Sequence, residues 1–132
     1  MPGSSPTVYV VDDDPGVRES LRALLEAYGL NVEECRSGLE FLERFREQEA
    51  GCVVLDVHLP IVSGLETLSR LRGNLHSRVP VIMITGQADK GLQGQLMARG
   101  ASAYVEKPFD ALALVDVVSA LARQGLGTIA SR

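Results

Sequence analysis

The sequence predicts an α/β fold, in which a doubly wound sheet of five parallel strands carries helices on both faces. Short apolar runs alternate with stretches whose apolar residues recur at helical spacing, and this is the pattern of repeated strand–helix units. Five such units within about 120 residues match the smaller doubly wound architecture, with strand order 2-1-3-4-5. In that architecture the ligand site lies at the carboxyl ends of the strands, beside the first strand.

Length and composition indicate one globular domain. The chain has 132 residues, of which 45% are hydrophobic and 23% are charged, and this fits a single core. No apolar run is long enough to span a bilayer, and the start of the chain lacks the basic and apolar parts of a signal peptide. We therefore expect a cytoplasmic protein. Residues 1–6 are expected to be a disordered lead-in, 7–124 the domain, and 125–132 a frayed tail or the start of a linker.

Charge and cysteine content argue against several other classes. The net charge is −4 and no run of Lys or Arg occurs, so we expect this segment to bind neither nucleic acid nor a membrane. Cys35 and Cys52 lie in or beside apolar runs, where a cysteine acts as a small buried hydrophobic side chain. We expect no disulfide between them, and two cysteines with two scattered histidines do not form a zinc site.

The first strand–helix unit has signals at both ends of its helix. The apolar run Val8–Val11 ends at three aspartates, and Asp14 followed by Pro15 is typical of an N-cap and a first helical position. Gly29 is a suitable residue to end this helix. The apolar residues that recur at helical spacing, and that we place on its buried face, are Val17, Leu21, Leu24, Leu25 and Tyr28.

Two capping boxes mark the second and third helices. The second strand, residues 31–35, is a weak apolar run, and Ser37 to Glu40 opens the second helix. Its buried face is expected to consist of Phe41, Leu42 and Phe45. The third strand ends at Asp56, and Ser63 to Glu66 opens the third helix. The apolar residues of that helix are Leu65, Leu68 and Leu71.

The last two units continue the alternation. The fourth strand ends at Thr85, and we place the fourth helix within residues 88–99. The fifth strand, residues 103–106, is followed by Asp110, which is a suitable N-cap for the fifth helix. The pattern therefore supplies all five units that the predicted fold needs.

Four of the five strands end in residues that suit phosphoryl chemistry. Strand one ends at Asp12–Asp14, strand three at Asp56, strand four at Thr85 and strand five at Lys107. Because the carboxyl ends of parallel strands meet at one edge, we expect these side chains to lie together. Mg²⁺ takes one or two carboxylates directly and leaves positions for water and a phosphate. An aspartate can accept a phosphoryl group as a nucleophile, while an ammonium and a hydroxyl can bind the phosphoryl oxygens.

Each of these residues also has a simpler explanation. The three aspartates could be only a charged helix start, Asp56 a loop cap, Thr85 an ordinary strand end and Lys107 a solvated charge. None of these explanations accounts for the other strand ends, so the combination favours a phosphoryl site. We do not expect His58 to bind Mg²⁺ through its ring, because a hard cation does not favour imidazole.

The same residues resemble a known family, the receiver domain of bacterial two-component response regulators. Five pieces match in order over roughly residues 7–123, and their combination is specific although each piece alone would be weak. The matching pieces are Val11–Asp14, Leu55–Pro60, Gly64, Ile84–Gly86 and Lys107–Phe109. The Thr-Gly and Lys-Pro-Phe pieces look most like those of receivers that are joined to a helix-turn-helix output. The resemblance implies a flavodoxin-like fold.

The resemblance also implies an acceptor and a metal site. It implies that Asp56 is the phosphoacceptor and that Asp13 is a direct Mg²⁺ ligand. Asp12 would reach the metal mainly through water, and the backbone carbonyl of His58 would be a further ligand. Mg²⁺ is therefore the expected cofactor.

Further roles follow for residues of the fourth and fifth strands. Thr85 and Lys107 match the switch hydroxyl and the phosphate-binding lysine of the family. Tyr104 matches the aromatic residue whose rotamer reports phosphorylation. By the same resemblance, the peptide bond between Lys107 and Pro108 is expected to be cis.

The function that the resemblance implies is a phosphorylation switch rather than a turnover enzyme. A histidine kinase or a phosphotransfer protein would donate a phosphoryl group to Asp56 with Mg²⁺ bound, and the domain would assist its own phosphorylation and dephosphorylation. The acyl phosphate would then change the surface of the fourth helix, fifth strand and fifth helix. We expect two copies to pair through this surface and to control an output such as transcription.

Two other classes remain as alternatives. A Mg²⁺-dependent phosphatase or phosphotransferase with an aspartyl nucleophile, of the dehalogenase-like kind, would need Thr or Val where this chain has Gly16. A receiver-like domain that only binds a partner typically lacks the acidic pair, the acceptor or the lysine. All of these are present here, as Asp12, Asp13, Asp56 and Lys107.

Overall fold

Five parallel strands form a single sheet, and they are β1 (Thr7–Val11), β2 (Asn31–Cys35), β3 (Ala50–Asp56), β4 (Val81–Thr85) and β5 (Ala103–Glu106). Their order across the sheet is β2-β1-β3-β4-β5, and every neighbouring pair is parallel. The structure, a computed structural model, describes residues 6–86 and 90–130, with only the backbone of Lys90 and of residues 124–130. The predicted fold class and strand order are confirmed.

Five helices connect and follow the strands. They are α1 (Pro15–Ala27), α2 (Gly38–Arg44), α3 (Gly64–Gly73), α4 (Lys90–Ala98) and α5 (Ala111–Ala130), with a short 3-10 helix, Glu47–Glu49, before β3. The four predicted N-caps all accept hydrogen bonds from backbone N–H groups of the first turn: Asp14, Ser37, Ser63 and Asp110. No helix within the described ranges is long and apolar enough to cross a membrane.

Each face of the sheet is covered by its own apolar layer. Val53 and Leu55 of β3 join the layer beneath α2, α3 and α4, whereas Cys52 and Val54 join the layer beneath α1 and α5. This alternation follows from the two-residue period of a strand. Both cysteines are free and buried, as predicted, and burial raises the pKa of each thiol to about 12.

Two residues that we placed on buried helical faces lie elsewhere. Tyr28 is the C-cap of α1 and is 54% exposed, because the chain leaves the helix at this residue and carries the side chain off the core face. Phe45 is the extended C-cap of α2 rather than a helical residue. Its ring still packs against Tyr9 and Phe41, with ring centroids 5.5 and 5.4 Å apart. Helical spacing therefore identified the contact of Phe45 but not its backbone conformation.

The ends of several segments stay as predictions. α4 occupies Lys90–Ala98, inside the interval we predicted, but residues 87–89 lie outside the described part of the chain. The expected lead-in overlaps residues 1–5, which are also outside it. The backbone of α5 is helical as far as Ala130, so helix occupies most of the segment in which we expected a frayed tail or linker. The domain boundary at residue 124 remains a prediction.

Candidate functional site

Three carboxylates meet at the carboxyl ends of the two central strands. Pairing of Val11 with Leu55 places Asp12, which follows β1, beside Asp56, which ends β3. Asp12, Asp13 and Asp56 each offer a carboxylate oxygen, and these three atoms lie within 4.8 Å of one another. Asp12 and Asp56 are buried, whereas Asp13 is exposed, so the cluster opens to solvent on one side. The structure thus brings together the acidic residues that the sequence singled out.

The charge of Asp12 is disfavoured by its surroundings. Burial raises the pKa of this carboxyl most strongly, and the nearby Asp56 and Asp13 raise it further. The backbone N–H of Asp14, which donates to Asp12 Oδ1 at 2.9 Å, and the Lys107 ammonium both lower the pKa. Several carboxylates that repel one another suit a divalent cation with oxygen ligands. The donor set at this rim therefore fits Mg²⁺.

Thr85 and Lys107 approach the cluster from the neighbouring strands. Thr85 ends β4 with its side chain fully buried, and the backbone N–H of Lys107 donates to its carbonyl at 2.7 Å. The Lys107 ammonium lies 3.6 Å from Asp12 Oδ2, so it stands at the edge of the acidic cluster. The bond between Lys107 and Pro108 is cis, as expected.

His58 makes a contact that the sequence reasoning missed. Its backbone N–H donates to Asp56 Oδ1 at 3.3 Å, and its exposed ring places Nε2 3.1 Å from Thr85 Oγ1. The sequence suggested a role for the backbone carbonyl of this residue and argued against its ring as a Mg²⁺ ligand, but it did not predict a ring contact with Thr85. The contact follows from the register of β3 and β4, in which Asp56 pairs with Ile84, so the residue two positions after Asp56 can reach the end of β4.

Gly64 allows the loop after β3 to close beneath Asp56. Its backbone N–H donates to Val57 O at 2.8 Å. A Cβ at this position would collide with the backbone carbonyl of Asp56, so any larger residue would push the loop away from the site. The family resemblance included this glycine, and the structure supplies its physical reason.

Ile61 is a second feature of this loop that the sequence did not reveal. Its side chain is 97% exposed and its φ is 68°. The N–H of Val62 donates to Pro60 O at 2.7 Å, which closes a tight three-residue turn around Ile61. A β-branched residue with positive φ is a genuine outlier, so the backbone is strained at this point of the rim.

Tyr104 lies farther along the edge of the sheet. It pairs with Met83 across β4 and β5, and its half-buried ring packs against the apolar layer that contains Leu96 of α4. This position is compatible with a ring that packs between β5 and α4. Its role as a reporter of phosphorylation remains a prediction.

An open, mostly apolar groove of about 780 Å³ adjoins the site. It runs between α1, from Gly16 to Leu24, and the segment that follows β5. Asp14 and Lys107 form its boundary with the acidic cluster, and Leu21 and Phe109 belong to its apolar lining. A partner that contacts this groove would therefore lie next to the carboxylates.

Residues 8–119 match the response regulator receiver domain family. Among curated proteins, the transcriptional regulatory protein FixJ of Azorhizobium caulinodans is 43% identical over 120 residues, which is 91% of this chain and 56% of that protein. The chain thus spans about half the length of the curated relatives it matches.

Solved structures show the same architecture. The response regulator StyR superposes with a TM-score of 0.88 at 36% identity, over 97% of this chain and 64% of that one. A CheY-like receiver domain protein from Methanospirillum hungatei superposes with a TM-score of 0.85 at 27% identity, over 95% and 99% of the two chains. Both superpositions extend over nearly all of this chain.

Proposed function

The chain belongs to the response regulator receiver domain family, and from this premise we propose that Asp56 accepts a phosphoryl group from the phosphohistidine of a histidine kinase or phosphotransfer protein. The observation that carries this proposal is the approach of three carboxylate oxygens to within 4.8 Å of one another. Thr85 and Lys107 stand beside them, at the ends of the neighbouring strands. The domain then acts as a phosphorylation-activated signalling switch.

The acidic cluster is also the proposed metal site. The carboxylates of Asp12, Asp13 and Asp56 and the backbone carbonyl of His58 would hold Mg²⁺, as direct ligands or through water. When bound, the cation offsets the repulsion between these carboxylates and the incoming phosphoryl oxygens. Burial raises the pKa of Asp12, and the neighbouring Asp56 and Asp13 raise it further. This supports the assignment, because a cation among the carboxylates would favour their charged forms.

The transfer itself exchanges one bond for another. A carboxylate oxygen of Asp56 forms a bond to phosphorus while the P–N bond of the donor breaks, so the donor regains its imidazole and Asp56 becomes an acyl phosphate. The Lys107 ammonium binds one phosphoryl oxygen, and the Thr85 hydroxyl donates to another. Attack of water on phosphorus later breaks the bond between phosphorus and the Asp56 oxygen, which releases inorganic phosphate and restores the carboxylate. In this proposal the domain assists its own phosphorylation and dephosphorylation.

The groove beside the site suits the donor protein. It is apolar along α1 and ends at Lys107, so a helix that carries the phosphohistidine can bury apolar side chains there. That contact would bring the phosphoryl group to the acidic cluster. Docking in this position fits the proposal that the phosphodonor is a protein.

Phosphorylation is proposed to change the surface formed by α4, β5 and α5. The Thr85 hydroxyl moves toward the phosphoryl group, and the Tyr104 ring turns into the space that is vacated. Two copies then pair through this surface with a coupling of about 1–3 kcal/mol. Because FixJ and TdiR are named transcriptional regulatory proteins, transcription is the output we propose.

Phosphoryl labelling tests the acceptor. Incubation with acetyl phosphate and Mg²⁺ should add one phosphoryl mass, and Asp56→Asn should abolish it because an amide is not a competent nucleophile. Asp116→Asn, on the exposed side of α5, is the matched control and should label like the parent. Undiminished labelling of Asp56→Asn would contradict the assignment.

A turnover assay separates the switch from a phosphatase. The parent should not hydrolyse phosphate esters catalytically, whereas an aspartyl phosphatase would.

The pairing step has its own test, which is the self-association constant with and without beryllofluoride. We expect tighter pairing in the parent and little change in Thr85→Ala. An equal response in both proteins would exclude Thr85 as the relay.

A further inference from the structure

The proposed switch depends on the hydroxyl group of Thr85, and the exposed side chain of His58 contacts this group. The Thr85 side chain is fully buried, yet His58 reaches it from the solvent side, with Nε2 3.1 Å from Oγ1. The backbone N–H of His58 also donates to Asp56 Oδ1 at 3.3 Å. One residue therefore contacts both the proposed acceptor and the proposed switch hydroxyl.

The ring contact resists movement of the hydroxyl in either tautomer of His58. If Nε2 accepts, the single hydroxyl proton of Thr85 points at the ring and is not available to a phosphoryl oxygen. If Nε2 donates, it holds the hydroxyl oxygen in place. In both cases, a Thr85 hydroxyl that turns toward Asp56 must give up this hydrogen bond.

We propose that His58 is a positioning residue that holds the Thr85 hydroxyl in its resting place, so that its ring and the phosphoryl group compete for this hydroxyl. The proposal rests on the proposed function and adds a determinant of the switching equilibrium. A simpler explanation is a surface contact without consequence. The two explanations predict different effects of His58 substitutions on binding at Asp56.

Loss of the ring contact should favour the activated state. A neutral hydrogen bond of ordinary net strength corresponds to an equilibrium factor of about 2 to 12. Beryllofluoride, which mimics the phosphoryl group, should therefore bind about 2- to 12-fold more tightly when the contact is absent. Beryllofluoride affinities are compared at saturating Mg²⁺, so that any change in metal binding is separated from the effect on the Thr85 hydroxyl.

Two amide substitutions form a matched pair. The terminal amide of Gln can occupy the place of Nε2, whereas that of Asn reaches only as far as Nδ1. His58→Asn should therefore bind beryllofluoride more tightly than the parent, and His58→Gln should resemble the parent. Isothermal titration calorimetry at saturating Mg²⁺ measures both affinities, and a titration with Mg²⁺ alone checks that the metal site is intact.

A double-mutant cycle connects the effect to Thr85. In the Thr85→Ala background, His58→Asn should leave beryllofluoride affinity unchanged, because the competing hydroxyl is gone. Persistence of the full effect in that background would overturn the proposal. So would equal affinities in the parent, His58→Asn and His58→Gln, or weaker binding by His58→Asn. If the parent itself binds no beryllofluoride and is not labelled by acetyl phosphate, the proposed function fails instead.

Discussion

Buried charges at the two ends of the sheet have opposite surroundings. At the amino end, the partly buried guanidinium of Arg72 in α3 donates to three backbone carbonyls, those of Val79 at 2.7 Å, Ser77 at 3.1 Å and Gly100 at 2.7 Å. These carbonyls belong to the segments that lead into β4 and β5. Although burial lowers the pKa of Arg72, the fold itself supplies partners for the cation.

At the carboxyl end, by contrast, like charges lie close together. Asp12 faces the like-charged Asp13 and Asp56, and burial raises its pKa. Lys107 is 3.6 Å away, beyond ordinary hydrogen-bond distance. The nearby Ile61 adds backbone strain. The comparison teaches that the fold compensates the buried charge of Arg72 with carbonyl groups, whereas the carboxylates of the acidic rim repel one another, as the proposed metal site requires.

The largest expected effect is the loss of Arg72. Arg72→Met removes the donors to three carbonyls and should lower the free energy of unfolding by at least about 3 kcal/mol, since each hydrogen bond to a charged group contributes about 1.5–3 kcal/mol. Urea denaturation measures this change. Arg70→Met is the control, because its ion pair with Glu66 is exposed and such pairs contribute about 0–1 kcal/mol. Similar losses in both variants would break the comparison.

Mg²⁺ should stabilise the folded protein through the acidic rim and independently of Arg72. At a concentration 100 times its Kd, a ligand that binds only the folded state adds about 2.7 kcal/mol, which thermal melts with and without Mg²⁺ can detect. Arg72→Met should keep this response, whereas Asp13→Asn should lose most of it. If millimolar Mg²⁺ leaves the melting temperature of the parent unchanged, this result would argue against a metal site at this rim.

Removal of the Asp12 charge should stabilise the folded protein, as Mg²⁺ does, but to a smaller extent. Without Mg²⁺ at neutral pH, Asp12→Asn should raise the free energy of unfolding, by less than Mg²⁺ does in the parent. The folded state disfavours the Asp12 charge, and an Asn side chain can still accept the N–H bond from Asp14. The same substitution should weaken the Mg²⁺ response. A fall in stability would show that the contact with Lys107 outweighs the repulsion.

The smallest effect concerns the strained loop. Ile61→Asn should raise the free energy of unfolding by about 1 kcal/mol, because a strained backbone position costs of order 1–3 kcal/mol and positive φ is much rarer for a β-branched residue than for Asn. No burial is lost, since the Ile61 side chain is 97% exposed. Ile61→Val keeps the β-branch and should leave stability unchanged. A gain in both variants would exclude strain as the cause.

The sequence by itself determined the elements, their order and the rim of the site. Caps such as Asp14 and Ser63 are local signals, since the cap and the N–H groups it accepts from lie within three positions. The strand ends at Asp12, Asp56 and Thr85 needed only one further rule, that parallel strands share a carboxyl edge. Helical periodicity wrongly predicted the side-chain burial of Tyr28 and the backbone conformation of Phe45. At both residues the helix ends, although the apolar spacing continues through them.

Only the tertiary structure decided how particular side chains meet. The His58 ring and the Thr85 hydroxyl are 27 positions apart, and Arg72 and Gly100 are 28 apart. Such contacts depend on strand register and on the path of each loop to within about 1 Å, because a hydrogen bond weakens steeply outside a narrow range of distance and angle. The turn at Ile61 depends likewise on how the loop closes over Gly64. Local residue patterns specify which elements form, but they do not encode these distances.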